Sequence, residues 1–145
     1  MTTAPCVFCA IVAGEAEASV VHADDLAVAF MDLAPVNPGH VLVVPRVHAA
    51  GLEDLAEDTG AHLWRVAHRV ARSLRRSGLR CEGVNLFLAD GEAAFQEVFH
   101  AHLHVFPRFE GDPFRISGDW TIRPRPLLDT EAAVLRHTLT TLDPP

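Results

Sequence analysis

The sequence lacks the features that would assign it to a membrane or to a nucleic-acid surface. Its 145 residues carry 12 basic and 19 acidic side chains, a formal net charge of −7, so no basic excess is present to neutralise a phosphate backbone. No apolar run approaches the length of a membrane span, and the N-terminus has no basic-then-apolar signal. We therefore expect a cytoplasmic protein that binds neither a nucleic acid polymer nor a membrane.

Cysteine is also scarce. The three cysteines, an odd number, do not resemble a disulfide framework and favour thiolate chemistry or metal binding under reducing conditions. Cys81 stands alone and is expected to be an ordinary packed thiol. Cys6 and Cys9 form a Cys-x-x-Cys pair, which has three readings: a redox pair, half of a zinc site, or coincidence.

The apolar content of 49% is sufficient for one ordinary core, and no repeat or linker suggests a second domain. We therefore predict a single domain over residues 1–145. The patterning predicts helices over 6–12, 52–77 and 129–142, and strands over 19–22, 26–31, 40–44 and 83–89. Asp129 is the expected N-cap of the last helix. Strands interrupted by one long helix indicate an antiparallel α+β domain rather than alternating βαβ units.

The run 99–106 is the most informative segment, because His100, His102 and His104 alternate there with apolar residues. This alternation predicts a strand that presents all three imidazoles on one face, roughly 6.5–7 Å apart. Three titratable rings on a rigid element suit acid–base, nucleophilic or metal chemistry. The alternative is a polar, solvated strand face.

The motif His-x-His-x-His with apolar spacers resembles the signature of the histidine triad (HIT) family. The resemblance extends to Cys6–Cys9, to residues 29–35 and to residues 38–48, and so covers about residues 6–109. The tail over 110–145 matches no motif. The resemblance implies a HIT-like antiparallel sheet with one long helix and short N- and C-terminal helices, in a protein that forms homodimers.

The resemblance also implies a chemistry, which is cleavage at the α-phosphate of nucleoside-phosphate-X substrates. His102 matches the nucleophile, which would form a covalent nucleotidyl-histidine intermediate that water then hydrolyses. A neutral imidazole is a fair nucleophile when its far nitrogen donates a hydrogen bond. His104 matches a donor to the phosphate oxygens, and His40 matches a histidine that supports the catalytic group.

Substrate contacts are carried over position by position, with a purine mononucleotide conjugate as the expected ligand. Asp32 and Leu33 match the segment near the ribose and base, where a carboxylate can accept both ribose hydroxyls. Asn85 and Gln96 match polar positions near the phosphates. Without the family, Asp32 is a residue at a strand end and Asn85 an unusual polar residue in a strand.

The sequence departs from several branches of the family just before the triad. Those branches carry a glycine and a hydroxyl residue at the positions of Phe95 and Glu97. An ionised Glu97 side chain accepts hydrogen bonds only and repels phosphate, although its backbone amide still offers a donor. The departure bears on the leaving group rather than on the nucleophile.

The Cys-x-x-Cys pair acquires partners through the resemblance. Zinc-containing members complete a tetrahedral site with a Pro-x-x-His histidine and the first triad histidine, which match His48 and His100. Cys6, Cys9, His48 and His100 would then hold a structural zinc ion and leave the other triad histidines for phosphate. We expect no organic cofactor.

Three functional readings remain open at this point. The first is a hydrolase or nucleotidyl transferase that acts on nucleoside phosphoramidates or dinucleoside polyphosphates, with Arg108 available to neutralise extra phosphate charge. The second is a non-catalytic nucleotide-binding or sensing module with a structural zinc. The third treats the three triad histidines as a catalytic metal site with an open position.

Overall fold

The computed structural model of the chain describes residues 5–142. Within them, three α-helices accompany one antiparallel sheet: α1 Val7–Val12, α2 Glu57–Arg76 and α3 Arg125–Leu139. The five strands are β1 Val20–Ala23, β2 Ala27–Met31, β3 Val41–Pro45, β4 Gly83–Leu88 and β5 Leu103–Arg108. They lie in the order β1-β2-β3-β5-β4, and every neighbouring pair is antiparallel. The predicted α+β class is confirmed.

The sheet separates two apolar cores, and its central strand β3 contributes to both. Val41 and Val43 pack in the core that contains the buried side chains of α2, whereas Leu42 and Val44 pack with Phe8 of α1. Alternation along a strand produces this division, because successive side chains point to opposite faces. The uninterrupted apolar run of β3 is therefore explained by burial on both faces.

Register carries the same division into β5. Val43 pairs with Leu103 and Leu42 pairs with His104. Leu103 joins the core against α2, so His104 lies on the face that α1 covers. β5 therefore places Leu103 in the core against α2 and His104 on the opposite face of the sheet.

The long helix begins later than the predicted residue 52. A 3₁₀ turn spans Leu52–Asp54, the backbone at Leu55 is extended, and α2 starts after Ala56. Leu55 is buried in the core, and the backbone N–H of Leu52 donates to Asp90 at 3.0 Å. These contacts turn the chain before the helix, and a spacing pattern does not reveal them.

The histidine segment is only partly a strand. β5 begins at Leu103, so His100 and His102 precede the ladder, contrary to the predicted strand over 99–106. The N–H of Ala101 donates instead to the carbonyl of Ala49 at 2.7 Å. This bond to a loop takes the segment away from the neighbouring strand.

The last helix starts four residues before the predicted 129, and the assignment of Asp129 as its N-cap is wrong. Pro126 lies in the first turn of α3. Proline is tolerated there because the first turn leaves its N–H groups unbonded within the helix.

The chain divides after Pro113 into two compact units. The first contains the sheet, α1 and α2, and includes the motif-bearing core over about 6–109. The second contains α3, in which no described side chain is buried, and an ion pair between Arg123 and Glu131. The single domain over 1–145 stays a prediction. None of the helices within residues 5–142 is long and apolar enough to cross a membrane.

A buried ion pair anchors the loop that precedes β3. Asp112 is 1% exposed and accepts from the Arg108 guanidinium at 2.6 and 2.9 Å and from the Asn37 amide at 2.9 Å. The Arg108 side chain holds the pKa of Asp112 well below its usual range. The loop that leads to His40 is thereby tied to the end of β5.

Gly39 closes this loop against the helix. Its φ of +107° is a conformation that favours glycine, and an added Cβ would lie 3.0 Å from the Leu74 side chain. The absence of a side chain therefore lets the backbone beside His40 pass close to α2.

We expect Asp112→Ala to lower the free energy of unfolding, because it removes the acceptor of the Arg108 guanidinium and of the buried Asn37 amide. Urea denaturation measures the change, and Glu110→Ala, an exposed acid of the same turn, is the matched control. The lowered pKa also means that Asp112 stabilises the native state above about pH 4 and loses that contribution as the pH falls. A change smaller than about 0.5 kcal/mol would contradict this account. So would a variant whose stability decreases at acid pH as steeply as that of the wild-type protein.

Candidate functional site

Four predicted metal ligands come together beside α1. The Nδ1 atom of His100 lies 3.5 Å from the Sγ atoms of both Cys6 and Cys9, and 3.2 Å from Nδ1 of His48. The Cys9 Sγ and His48 Nδ1 atoms are 3.3 Å apart. All four ligand atoms lie within 4.8 Å of one another. The Cys-x-x-Cys pair and two distant histidines therefore form one cluster.

The cluster fits a tetrahedral zinc ion. Bond lengths of about 2.0 Å to nitrogen and 2.3 Å to sulfur place neighbouring ligands about 3.3 Å apart for two nitrogens and about 3.6 Å apart for nitrogen and sulfur. The distances in the cluster agree with these values to within about 0.3 Å. Burial and the adjacent Cys6 sulfur raise the pKa of the Cys9 thiol, so a cation is the natural partner for two thiolates here.

His100 is held for this role by its other ring nitrogen. The side chain is fully buried, and Nε2 lies 2.8 Å from the carbonyl oxygen of Pro45. A carbonyl only accepts, so Nε2 carries the proton and donates, which leaves the Nδ1 lone pair directed at the cluster. Burial also lowers the pKa of His100, and a metal ligand must be neutral imidazole.

A backbone carbonyl also fixes the tautomer of His102. Its Nδ1 lies 2.8 Å from the carbonyl oxygen of His100, so Nδ1 carries the proton and Nε2 retains its lone pair. Phe8 of α1 packs edge-on against the ring, with centroids 5.1 Å apart, and also contacts His100 at 5.9 Å. The ring is oriented as a nucleophile or base requires.

A relay of hydrogen bonds sets the tautomers of His40 and His104. The N–H of Val36 donates to Nδ1 of His40 at 2.9 Å, so His40 carries its proton on Nε2. That nitrogen lies 2.9 Å from Nδ1 of His104 and donates to it. His104 therefore keeps its own proton on Nε2, where it is a donor.

Both relay histidines are neutral at neutral pH. Burial lowers the pKa of His40, against the opposing effect of Asp32, whose carboxylate lies 3.5 Å away. Burial, together with His102 and His40, lowers the pKa of His104 to about 4. The relay therefore offers an uncharged N–H donor rather than an imidazolium.

Asp32, His40 and His104 also lie within 4.8 Å of one another, a second set of groups able to approach a cation. The separation of 2.9 Å between the His40 and His104 nitrogens is a hydrogen-bond length, shorter than the roughly 3.3 Å between nitrogens that share a zinc ion. We read this set as the relay rather than as a metal centre. Within residues 5–142, His102 belongs to neither cluster.

A cavity of about 300 Å³ opens beside the two later triad histidines. Its walls combine apolar side chains with three carboxylates. The walls include Phe8, Ile11, Glu17, Phe30, Asp32, Leu33, Leu42, Phe95, Glu97, Val98, His102 and His104. A pocket of this size, apolar with a few polar groups, is suited to a small ligand. A second cavity, of about 340 Å³ between α2 and the sheet, contains no triad histidine.

The predicted nucleoside contacts border the cavity. Asp32 follows β2 directly; one of its oxygens accepts from the N–H of Ala34 at 2.9 Å, while the other lies nearer His40. Leu33 is 98% exposed, whereas Phe30 is buried against Phe8 in an edge-on contact with centroids 5.5 Å apart. The cavity thus has an apolar wall beside one carboxylate.

Two predicted substrate contacts lie outside the cavity walls. Gln96 is 4% exposed. Its side-chain oxygen accepts a hydrogen bond from the N–H of Gly91, and its side-chain nitrogen donates to the carbonyls of Ala50 and Val98. All three bonds are to backbone, so the side chain braces the segment before the triad. Nothing in the sequence distinguishes such a brace from a ligand contact.

Asn85 shares the sheet face of His104 but contacts Arg108. Its Oδ1 accepts from that guanidinium at 2.8 Å, and the same group bonds to Asp112. Arg108 is therefore part of the anchor at the end of β5 and does not line the cavity.

Phe95, which departs from the glycine of several branches, and Glu17, which no motif contains, both lie at the cavity border. Phe95 is 83% exposed and has a φ of +71°, the only non-glycine residue with positive φ in the described chain. This backbone conformation costs a bulky residue about 1–2 kcal/mol. The glycine found here in other branches agrees with this conformation. No sequence feature pointed to Glu17 as a cavity residue.

The chain is similar to proteins of one known family. A model of the HIT domain matches residues 13–111. An uncharacterized HIT-like protein of Mycobacterium tuberculosis is 37% identical over 139 residues, covering 96% of both chains. A zinc-bound histidine triad family protein from Mycobacterium smegmatis has a crystal structure that superposes with a TM-score of 0.72, at 41% identity over 95% of both chains.

A more distant structure supports the fold alone. The histidine triad nucleotide-binding protein of Candida albicans superposes with a TM-score of 0.84 at 24% identity, over 96% of this chain and 100% of that one. The family model covers most of the chain, and the mycobacterial relative aligns along nearly all of it. This protein therefore belongs to the HIT family.

Proposed function

We propose that the protein is a hydrolase or nucleotidyl transferase that cleaves nucleoside-phosphate-X substrates at the α-phosphate through a covalent intermediate on His102. The observation that carries the proposal is the hydrogen bond from His102 Nδ1 to the carbonyl of His100. It leaves the Nε2 lone pair of a cavity-lining ring available for attack on phosphorus.

The reaction balances in two steps. In the first, Nε2 of His102 forms a bond to phosphorus, the bond from phosphorus to X breaks, and X departs with the electron pair and takes up a proton. The phosphorylated ring is cationic, and its remaining Nδ1 proton stays bonded to the carbonyl. In the second, water attacks phosphorus and gives up one proton to solvent, the bond to Nε2 breaks with its electron pair returning to the ring, and a nucleoside monophosphate leaves. The histidine returns to its neutral tautomer.

His104 and His40 stabilise the charge that develops in both steps. The relay holds the His104 proton on Nε2, where it donates to a phosphate oxygen. A fixed donor in a partly buried site is effective because it needs little reorganisation during the reaction. The low pKa of His104 keeps this donor neutral across the physiological range, so it orients the phosphate without binding it as an ion pair.

The nucleoside lies beside the end of β2 in this proposal. Asp32 accepts the ribose hydroxyls, and Leu33 with the Phe8–Phe30 wall contacts a purine base. The backbone amide of Glu97 is a further donor to phosphate. Gln96 and Asn85 are better supported as braces than as direct contacts, because their side chains already bond to backbone and to Arg108.

The cysteine–histidine cluster would hold a zinc ion that cross-links α1 to the residues before β5. Four protein ligands close the coordination shell, so zinc has a structural role. The zinc-bound relative from Mycobacterium smegmatis supports the identity of the metal. Phe8 lies between the two metal-binding cysteines in sequence and packs on His102, so a fixed α1 also steadies the nucleophile.

A second candidate is a non-catalytic nucleotide-binding or sensing module. The Glu97 carboxylate at the cavity border favours it, because this group repels a transferring phosphate. Such a module would bind adenosine monophosphate in calorimetry but form no covalent nucleotide on rapid quench.

A homodimer is the expected assembly. β4 lies at the end of the sheet order and has no further partner strand within residues 5–142. Its Phe87 is 41% exposed, and Trp64 on α2 is 58% exposed. An unpaired edge and exposed aromatic side chains on neighbouring elements favour association of two copies.

We expect His102→Ala to retain nucleotide binding and to lose turnover of adenosine phosphoramidate by about 10⁴-fold. Rapid quench and mass spectrometry of wild-type protein should show a nucleotide-sized adduct on the peptide that contains His102. His68→Ala, an exposed histidine of α2, is the matched control. Normal turnover by His102→Ala would contradict the proposal, and so would a nucleotide adduct on another histidine.

We expect Cys9→Ser and His48→Ala each to abolish stoichiometric zinc and to lower the melting temperature by about 10 °C, since a structural metal contributes directly to folding. Metal analysis by inductively coupled plasma mass spectrometry and thermal denaturation provide the measurements. Cys81→Ser, a cysteine outside the cluster, should change neither. Zinc that persists in both cluster variants but disappears in His102→Ala would refute the structural site.

We expect Trp64→Glu to weaken self-association about 100-fold, because a buried tryptophan at an interface contributes at least about 2 kcal/mol and a charge there is costly. Sedimentation equilibrium gives the association constant. Arg72→Glu, an exposed change on the same helix, should leave it within about threefold. A monomeric wild-type protein would reject the dimer.

A further inference from the structure

The cavity beside His102 is acidic. Glu17, Asp32 and Glu97 contribute three carboxylates to its walls, and no arginine is among the lining residues of the described chain. The sequence contains no lysine at all. Arg108, the basic residue nearest in sequence to the triad, is bonded to Asp112 and Asn85. A leaving group with further phosphates would therefore meet repulsion here without a compensating side-chain cation.

Phe95 and Glu97 are presented into this cavity by a braced segment. Between them, Gln96 is buried and bonded to three backbone groups. The N–H of Phe95 donates to the carbonyl of Glu92 at 3.0 Å and holds the left-handed turn. Both side chains are exposed and both line the cavity. Their placement results from a rigid backbone rather than from a free loop.

An aromatic face and a carboxylate together recognise an organic cation. An ammonium group is attracted to the face of a phenyl ring and forms charge-assisted hydrogen bonds to a carboxylate. An anionic group is repelled by the carboxylate and gains nothing from the ring. The pair therefore discriminates by the sign of the charge on the leaving group.

We infer that Phe95 and Glu97 form a leaving-group subsite that selects nucleoside phosphoramidates whose amine carries a second, cationic ammonium group. The assignment rests on the proposed function and specifies its substrate class. Asp32 and Leu33, after β2, contact the nucleoside. Phe95 and Glu97, before the triad, contact the leaving group X. In the first step the phosphorus–nitrogen bond breaks, and the amine leaves with the electron pair and gains one proton from water.

Three adenosine phosphoramidates test the subsite, with the same nucleotide and amines of similar length. One amine ends in an ammonium group, one in a methyl group and one in a carboxylate. The wild-type protein should give a kcat/KM at least about 10-fold higher for the ammonium than for the carboxylate substrate, with the methyl substrate between them. The ratio should decrease as ionic strength rises, because salt screens exposed charges.

Two variants separate recognition from folding. Glu97→Gln should reduce the ammonium-to-carboxylate ratio to about 2, and Glu97→Arg should invert it. Phe95→Gly should raise thermal stability by relieving the positive φ and should still reduce the preference for the ammonium over the methyl substrate. Glu92→Gln, an exposed acid of the same segment that does not line the cavity, should leave all ratios unchanged.

Single-turnover measurements locate the effect. Leaving-group charge should alter the rate at which the His102 adduct forms, whereas hydrolysis of the adduct should be equal for all three substrates. A wild-type ratio near 1, or a ratio that Glu97→Gln leaves intact while adducts still form, would overturn the subsite alone. Absence of a His102 adduct and of turnover with every substrate would overturn the proposed function and the subsite with it.

Discussion

The chemistry of the site depends on one constraint, which is that hydrogen bonds starting at the backbone fix the ring protons of His40 and of the three triad histidines. The Pro45 carbonyl sets His100, and the His100 carbonyl sets His102. The N–H of Val36 sets His40, which in turn sets His104. The three triad imidazoles thereby present different atoms: His100 directs a lone pair at the cysteine–histidine cluster, His102 keeps a lone pair on Nε2, and His104 keeps an N–H donor on Nε2. Their difference is imposed by backbone geometry rather than by residue type.

Helix α1 links the cysteine–histidine cluster to the cavity. This helix has Cys6 at its N-cap, and one turn places both Cys9 and Phe8 near the triad. Cys9 faces His48, while Phe8 contacts the rings of both His100 and His102. An isolated six-residue helix is not stable in water. A metal ion held by the cysteine–histidine cluster, as proposed, would therefore also hold the Phe8 side chain against His102.

Local patterns predicted much of this arrangement, and contacts between distant segments decided the rest. The triad motif and the apolar run of β3 indicated the sheet and its histidine face from a few adjacent residues. The extended backbone at Leu55 and the shortened β5 arise from contacts to Asp90 and Ala49, which no periodicity encodes. Gln96 was predicted as a ligand contact from its position before the triad. The residue type at that position does not show whether the side chain faces a ligand or the backbone.

Burial outweighs the nearby Asp32 carboxylate and lowers the pKa values of both relay histidines, and the hydrogen bonds of the relay also disfavour a second proton on either ring. His40 accepts a hydrogen bond at Nδ1, so it cannot take a proton there without losing the bond from Val36. A proton on Nδ1 of His104 would face the N–H of His40 across 2.9 Å. Burial, together with the neighbouring His102 and His40 rings, lowers the pKa of His104 to about 4. In the proposed reaction, a phosphate would therefore bind and leave without moving a proton through the relay, because the Nε2 proton of His104 is already in place.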